Sequence, residues 1–413
     1  MTDSLHADLL IRQPPGTGRK AAISFVLVTV LLDVLGVALI IPVLPALVGE
    51  YSTGDSQAYW YGALGASYGM AQFVLSPALG ALSDRFGRRP VLLLSVLGLG
   101  GSYLLMGFAW SLWSLLLARL LGGATAATVA VASAYVADVT PPQHRSRGFG
   151  LLGAMFGIGF IAGPIVGGLL GDINHRWPFY LAAALCFLNA LYGVFVLPES
   201  LPAASRRPFN LARANPFGAF RGLTQVHGIG GLIVAFALTN LAQFILHSTW
   251  VLYTTFRFSW TPSQNGISLC VAGLGAALVQ GVLLQRLLQR WGEHRAAIIG
   301  LMSGTIAFVG YGLATTSWMI YLMIAANMFS AMIPPAMKGL ISKSFDPSKQ
   351  GVTMGALDSI NGLMTVIGPL LGTALFAQIS HLQITDWRVG LTFFVSALLQ
   401  LICVLLLLRN RIR

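Results

Sequence analysis

Charge is what this 413-residue chain has least of: 9% of its residues are Asp, Glu, Lys or Arg, against roughly 25% in a soluble domain. That deficit excludes an ordinary water-soluble globule, and 56% hydrophobic residues place the chain in a lipid bilayer. Acids are the scarcer sign, 13 against 25 basic residues. Cysteine is nearly absent. Cys186, Cys270 and Cys403 are scattered through apolar runs without paired or metal-ligand spacing, so neither a disulfide framework nor a metal site is expected, and the three read as small core residues. Catalytic signatures are missing as well. There is no H-E-x-x-H and no cluster of inner His, a nucleophile elbow is not expected, and no G-x-x-x-x-G-K-[ST] loop is there to hold ATP. An integral-membrane enzyme and a receptor remain rivals of another class, and no cofactor is expected. A cleavable signal is not expected either. The first twenty residues carry Asp3, Asp8, Arg12, Arg19 and Lys20, and the first apolar run is too long for a signal core.

What the chain has in abundance is long apolar runs. Runs of about 18 residues or more read as spanning helices, and twelve occur, at 21–47, 59–82, 90–109, 111–137, 147–170, 178–197, 228–253, 263–285, 295–314, 317–341, 351–379 and 389–408. A barrel would instead show alternating ten-residue segments with closely spaced turns. The expected fold class is therefore all-α and integral to the membrane, with twelve spans. Cytoplasmic loops collect Lys and Arg, which tests the count. With both termini inside, twenty basic residues fall in inner segments, and only Arg176, Arg257 and Arg388 in outer loops. The net charge of +12 then follows from topology and an anionic inner leaflet, and needs no nucleic acid.

Two motifs repeat at one offset. Gly80-Ala81-Leu82-Ser83-Asp84-Arg85-Phe86-Gly87-Arg88-Arg89-Pro90 is weakly echoed by Gln285-Arg286 through Arg290-Trp291-Gly292-Glu293, with Gly292 lying 205 residues after Gly87. Gly163-Pro164-Ile165-Val166-Gly167-Gly168 is answered by Gly368-Pro369-Leu370-Leu371-Gly372, again 205 residues on. A duplicated unit of six helices is the simplest cause, and a membrane protein of two halves is usually a transporter. The organisation expected is a cytoplasmic tail at 1–20, a six-helix bundle at 21–197, a cytoplasmic linker at 198–227, a second bundle at 228–408 and a tail at 409–413. The linker carries Pro202, Pro208, Pro216 and four Arg.

Several residues carry chemistry. Asp84 and Arg88 are four apart at a helix end and held between glycines. Together with Gly80, Arg85, Gly87 and Arg89 they suit a cytoplasmic latch that closes in one state and releases in the other. Asp33 and Arg119 lie deep in spans one and four. A charge there costs about 2.5–3.5 kcal/mol, so it faces a cavity or a partner. If the two pair, the acid can exchange a proton while the guanidinium keeps its charge. Lys338 and Asp358 offer a second pair of opposite sign in spans ten and eleven. Tyr68, Gln72, Asn240, Gln243, His247 and Asn361 are candidates to line a substrate cavity. Gly159, Gly163, Pro164, Gly167 and Gly168 should bend span five and pack it tightly where the halves meet, and Pro42, Pro45 and Pro334-Pro335 mark further breaks.

These residues resemble a known family. Gly80 to Pro90 is similar to the G-x-L-x-D-R-x-G-R-R/K loop motif of the major facilitator superfamily, Arg119 to Ala124 resembles its helix-four motif, and Gly159 through Gly168 is similar to the G-x-x-x-G-P-x-x-G-G motif of its drug/proton antiporters. Leu31-Leu32-Asp33 to Pro45, Trp250 to Phe258 and Val366 to Leu371 resemble the tetracycline efflux pumps. The resemblance implies two six-helix pseudo-repeats, no cofactor beyond the proton gradient, a functional monomer in the cell inner membrane, and export of small amphiphilic compounds. A tetracycline-like drug is among those compounds, and a metabolite symporter is the rival on the same fold. In those pumps, acids in helices three and nine and a His in helix eight support drug binding and coupling. The corresponding positions here are Ser102, Gly304 and Ala276, none of which titrates.

Overall fold

The computed structural model describes residues 17–209, 230–343 and 350–409. Residues 1–16, 210–227 and 410–413 of the expected tails and linker, and Lys349, lie outside the described residues. The described chain is helical throughout, with no strand, as lipid requires of a chain whose backbone must satisfy itself within each segment. We number the spans α1 to α12.

In the first half, α1 runs over Thr17–Ile40 and resumes as Leu44–Gly49, α2 is Asp55–Phe86 and α3 is Arg88–Gly107. Then come α4, Leu112–Thr125 resumed as Thr128–Val139, α5, Arg145–Ile173, and α6, Trp177–Val196. In the second half, α7 is Gly230–Phe258, and α8 begins at Pro262–Leu278 and runs on through a wide turn, Val279–Leu283. The next helix, Leu284–Leu313, holds the end of α8 and all of α9. α10 comprises Ser317–Asn327, a tight stretch Met328–Met332, and Ile333–Lys343; α11 is Gln350–Ala377 and α12 is Leu391–Arg409.

Among the described residues ten stretches are long and apolar enough to cross a membrane. The 52-residue stretch Pro262–Leu313 among them turns at Gly292 (φ 73°, ψ 164°) and so holds two spans. The 32-residue α2 is not among the ten, because Gln57, Ser67, Gln72 and Ser76 dilute it. Twelve spans result, as the sequence predicts. The repeat is visible in backbone conformation too: Gly87 (φ 107°, ψ 160°) and Gly292 both take the positive φ that only a residue without Cβ adopts freely.

Local chemistry explains the ends and breaks. α1 pauses at Ile41-Pro42-Val43, since Pro42 has no N–H to offer, and restarts with Pro45 in its first turn, where a missing donor is harmless. Ser111 with Ser114, and Thr261 with Gln264, form reciprocal caps that start α4 and α8. Pro164, expected to bend α5, sits inside a continuous helix Arg145–Ile173. Its neighbours Gly163 and Gly167 lie against Ala38 and Leu39 of α1, so the motif serves close packing. Large side chains such as Leu188, Phe195 and Leu405 are exposed. On a span these face lipid.

Polar contacts fix the two ends of the bundle. At one end Glu199, after α6, meets the start of α3, and Asp138 at the end of α4 meets Arg88. This is the basic face. At the opposite face Arg176, before α6, bonds to Glu50 and Tyr51 after α1 and to the Gly107 and Ala109 carbonyls after α3. Its bond to Glu50 holds the guanidinium above its ordinary range.

The halves meet along two seams, α2 against α11 and α5 against α8. Both are tight toward the opposite face. Gly62 and Gly69 lie under Thr373 and Thr365, while Gly168 and Gly266 lie under the backbone at Pro262 and Pro164. Asp172 accepts from the Ser263 N–H (3.1 Å) and from the Ser263 and Thr261 hydroxyls across one seam, and Asp55 accepts from Ser380 across the other. Toward the basic face the same four helices part. Gly80, Gly150, Gly153, Gly157, Gly281 and Gly355 have nothing within 4 Å of where a Cβ would stand.

Candidate functional site

The parting helices enclose a cavity of about 1110 Å³ between the halves, large enough for a drug-sized molecule. Most of its lining is apolar or aromatic, with Tyr61 and Tyr68 from α2 facing Trp250, Tyr311 and Phe244 from the second half. Polar groups are few. Five of the six expected lining residues, Tyr68, Gln72, Asn240, Gln243 and His247, are on its wall. Asn240, Gln243 and His247 reach it together because positions i, i+3 and i+7 share a helix face. The sixth, Asn361, lines a smaller adjoining cavity between α2 and α11.

Asp33 and Arg119 both line the main cavity, yet the expected ion pair between them is not formed. The Asp33 carboxylate lies beside the Thr128 hydroxyl, and its Oδ1 is buried without a partner. The Arg119 guanidinium instead lies over the Tyr68 ring, 5.0 Å from its centroid, with Nε unpartnered. The cause lies in α4, which opens at Ala126-Ala127 and restarts with Thr128, so a hydroxyl arrives where a guanidinium was expected. Tyr68 supplies a π face that stabilises the cation without neutralising it. The other expected pair is present: Lys338 Nζ is 3.1 Å from Asp358 Oδ1, with Asp358 69% exposed at the cavity.

The residues expected to form a latch make a network. Arg88 is paired with Asp84 (2.6 Å) and Asp138 (3.1 Å) and donates to Ser83. The Asp84 side chain is 39% exposed, because the bundle is open on this face. Arg85 lies over Phe86, and Arg89 reaches the Val194 carbonyl. The Glu199 carboxylate accepts the Arg88 and Arg89 N–H groups (2.8 and 3.2 Å), capping α3 where its first amides have no helical partner. The Asp84 carbonyl accepts the Arg207 N–H, which fastens the linker's start to the loop. These contacts stay within the first half and the linker that follows it.

Sequence reasoning missed Thr128, Asp138, Glu199, Tyr61, Gln280 and Asn327. For Tyr61 a signal existed, since it stands seven residues before Tyr68 and so on its face. Gln280 and Asn327 are placed by irregular turns: Gln280, in the wide turn of α8, donates to the Ala331 carbonyl in the tight stretch of α10. Such turns cluster at functional sites. A G-x-S-x-G run does occur, at Gly65-Ala66-Ser67-Tyr68-Gly69. That run lies mid-helix, with Ser67 donating to the Leu64 carbonyl, and lacks the strand-to-helix turn of a nucleophile elbow. Among the described residues no three His, Cys, Asp or Glu side chains are grouped to hold a metal.

Comparison with known proteins agrees with this architecture. The sequence model of the Major Facilitator Superfamily matches residues 26–315 and 232–413. The chain is 39% identical over 382 residues to the tetracycline resistance protein, class C, of Escherichia coli, covering 92% of this chain and 95% of that protein. To the class H tetracycline resistance protein of Pasteurella multocida it is 36% identical over 389 residues, 92% and 94% of the two chains. The crystal structure of the human organic anion transporter MFSD10 superposes with a TM-score of 0.67 at 26% identity, over 96% of this chain and all of that one.

Proposed function

The chain belongs to the major facilitator superfamily, and we propose that it exports small amphiphilic compounds, a tetracycline-like drug among them, in exchange for protons. It is a transporter and not an enzyme. Its transport cycle is alternating access, in which the cavity opens to one side of the membrane at a time. The observation that carries the proposal is the cavity itself, sealed along both seams at one face and open at the other, with Asp33 on its wall.

The basic face is assigned to the cytoplasm of a cell inner membrane, with both termini there, because Lys and Arg collect on that side. A drug enters the open cavity from the cytoplasm and is held by the aromatic walls and the amides of α7. Asp33 is the proton site. Its carboxylate lies beside Thr128 and its Oδ1 is bare, so it can take a proton in one state and release it in the other without moving. Arg119 stays charged and opposes retention of that proton. When the cavity turns outward, the loop held in shape by the Arg88 network closes against the second half at the basic face, and the Asp172 and Asp55 contacts then open. No bound cofactor is needed: each charge moved across 100 mV carries about 2.3 kcal/mol. The working unit is a monomer, since one chain holds both halves of the cavity.

Everted membrane vesicles test this. Tetracycline uptake should follow respiration, collapse with an uncoupler and be lost in Asp33→Asn. Uptake that persists unchanged after the uncoupler excludes proton coupling. A wild type that moves neither tetracycline nor any compound of a drug panel excludes the export role.

A further inference from the structure

The smaller cavity, about 330 Å³, lies in the fork between α2 and α11. The two helices touch from the opposite face down to Phe73 and Gly362 and separate below that point. Gln72, Ser76, Asp358 and Thr365 line both cavities, so the two spaces share a wall. Phe73 and Pro77 line the smaller one only. Successive residues of a helix stand about 100° apart, so the lining turns from the inner face of α2 toward its outer side, where Met70 and Val74 are exposed. On α11 Gly355 and Gly362 are likewise displaced from Asp358 and Thr365. A space lined by two adjacent faces of each helix passes between them.

The charge of this passage is one-sided. Asp358 is the one charged side chain on its lining. Its partner Lys338 lines neither cavity and reaches the carboxylate with a long side chain that is itself 44% exposed. Deeper in, Asp33 adds a second carboxylate, while Arg119 is turned onto Tyr68. Apolar walls with an exposed carboxylate at the entrance suit an organic cation with an apolar body. Such a molecule concentrates in the membrane leaflet at the basic face, where its cation lies at headgroup level.

We propose that the fork between α2 and α11 is a lateral port through which organic cations dissolved in that leaflet reach the central cavity, with Asp358 as their counter-charge. The ammonium of Lys338 holds Asp358 while the port is empty, and the arriving cation displaces it. This rests on the export role above and adds the substrate class and the route.

The probe is the lipid-dissolved cation trimethylammonium-diphenylhexatriene, followed by fluorescence in everted vesicles with tetracycline as a parallel substrate. Asp358→Asn should raise the apparent KM for the probe about fivefold, the value of one solvent-accessible ion pair of about 1 kcal/mol. Lys338→Met, which removes the competing cation, should lower it; a purely structural ion pair predicts loss in both variants. Gly355→Trp, at a position with open space around it, should block the probe while leaving the chain folded. A bimane label at Asn361→Cys should be quenched by 5-doxyl phosphatidylcholine in the bilayer. Absence of that quenching, or probe transport unchanged in Gly355→Trp, overturns the port. Tetracycline export by a wild type that ignores the probe overturns the substrate class and leaves the export role standing, whereas loss of both substrates in the wild type falls on the export role itself.

Discussion

Gly266→Ala should trap the protein away from the conformation described here. A methyl at Gly266 of α8 would fall inside the van der Waals envelope of the Pro164 carbonyl oxygen of α5 and stand 2.9 Å from its carbon. The obstacle is backbone, which cannot swing aside as a side chain could. The seam must therefore widen by on the order of 1 Å to restore ordinary contact. Overpacking of this kind costs about 1–3 kcal/mol, and it arises only while the α5–α8 seam is shut. A midpoint of about 2 kcal/mol changes the ratio of the two access states by a factor of about thirty. The assay is a distance distribution between spin labels at Tyr59→Cys and Ile384→Cys, both 52% exposed and placed at the opposite face around the other seam. The native cysteines are buried and stay unlabelled. Gly266→Ala should lengthen the main distance and slow efflux. Gly157→Ala, with nothing within 4 Å, should do neither. Wild-type distances together with wild-type efflux in Gly266→Ala would refute the seam as the moving contact.

Three further outcomes are expected. Asp33→Asn should end proton-coupled efflux while drug binding in detergent persists, and proton release on adding the drug, read with a pH dye, should disappear with it. Asp84→Asn and Arg88→Ala should slow turnover more than they weaken binding, with little effect on folding, because partly exposed ion pairs are worth about 0.2–1 kcal/mol; lost binding at a normal exchange rate would count against the latch. Arg176→Ala, which removes contacts to Glu50, Tyr51 and two backbone carbonyls, should cost about 2 kcal/mol, read as a lower melting temperature in detergent, with transport per folded molecule retained.

The number of spans was legible because lipid writes it twice, once in apolar length and once in loop charge, and the two agree. The turn glycines were legible because Gly87 and Gly292 need a backbone that other residues resist. The breaks in α4 and α8 were not. Ala126-Ala127 and Val279-Gln280-Gly281-Val282-Leu283 contain no proline, and their shapes come from neighbouring helices: Gln280 reaches across to α10 and Thr128 turns toward Asp33. Opposite signs correctly paired Lys338 with Asp358, whose helices pass close to each other. The same logic failed for Arg119, because sign alone does not register an aromatic face as an alternative partner. The access state was beyond sequence altogether, since a transporter's sequence must encode both states.

The three non-titratable positions bear on how many groups can carry the coupling. At Gly304 on α9 the space is filled: the position where a Cβ would stand is occupied by the amide of Gln400 on α12, a residue that is 0% exposed and whose side-chain oxygen and nitrogen are buried without a partner. A carboxylate introduced there would collide with that amide. Ser102 on α3 is 2% exposed and lies against Gly122 of α4, and Ala276 contributes only a methyl to the cavity. Packing has thus closed around the neutral residues, and no vacant acid site waits to be refilled by one substitution. On the export reading, coupling concentrates on Asp33, the one cavity carboxylate without a basic partner. Gly304→Asp alone should then fail to add a second coupled proton, while Gly304→Asp with Gln400→Ala makes room for the carboxylate. A Gly304→Asp single variant that exports with raised proton stoichiometry would show that Gln400 yields easily and that its burial does not limit the number of coupling sites.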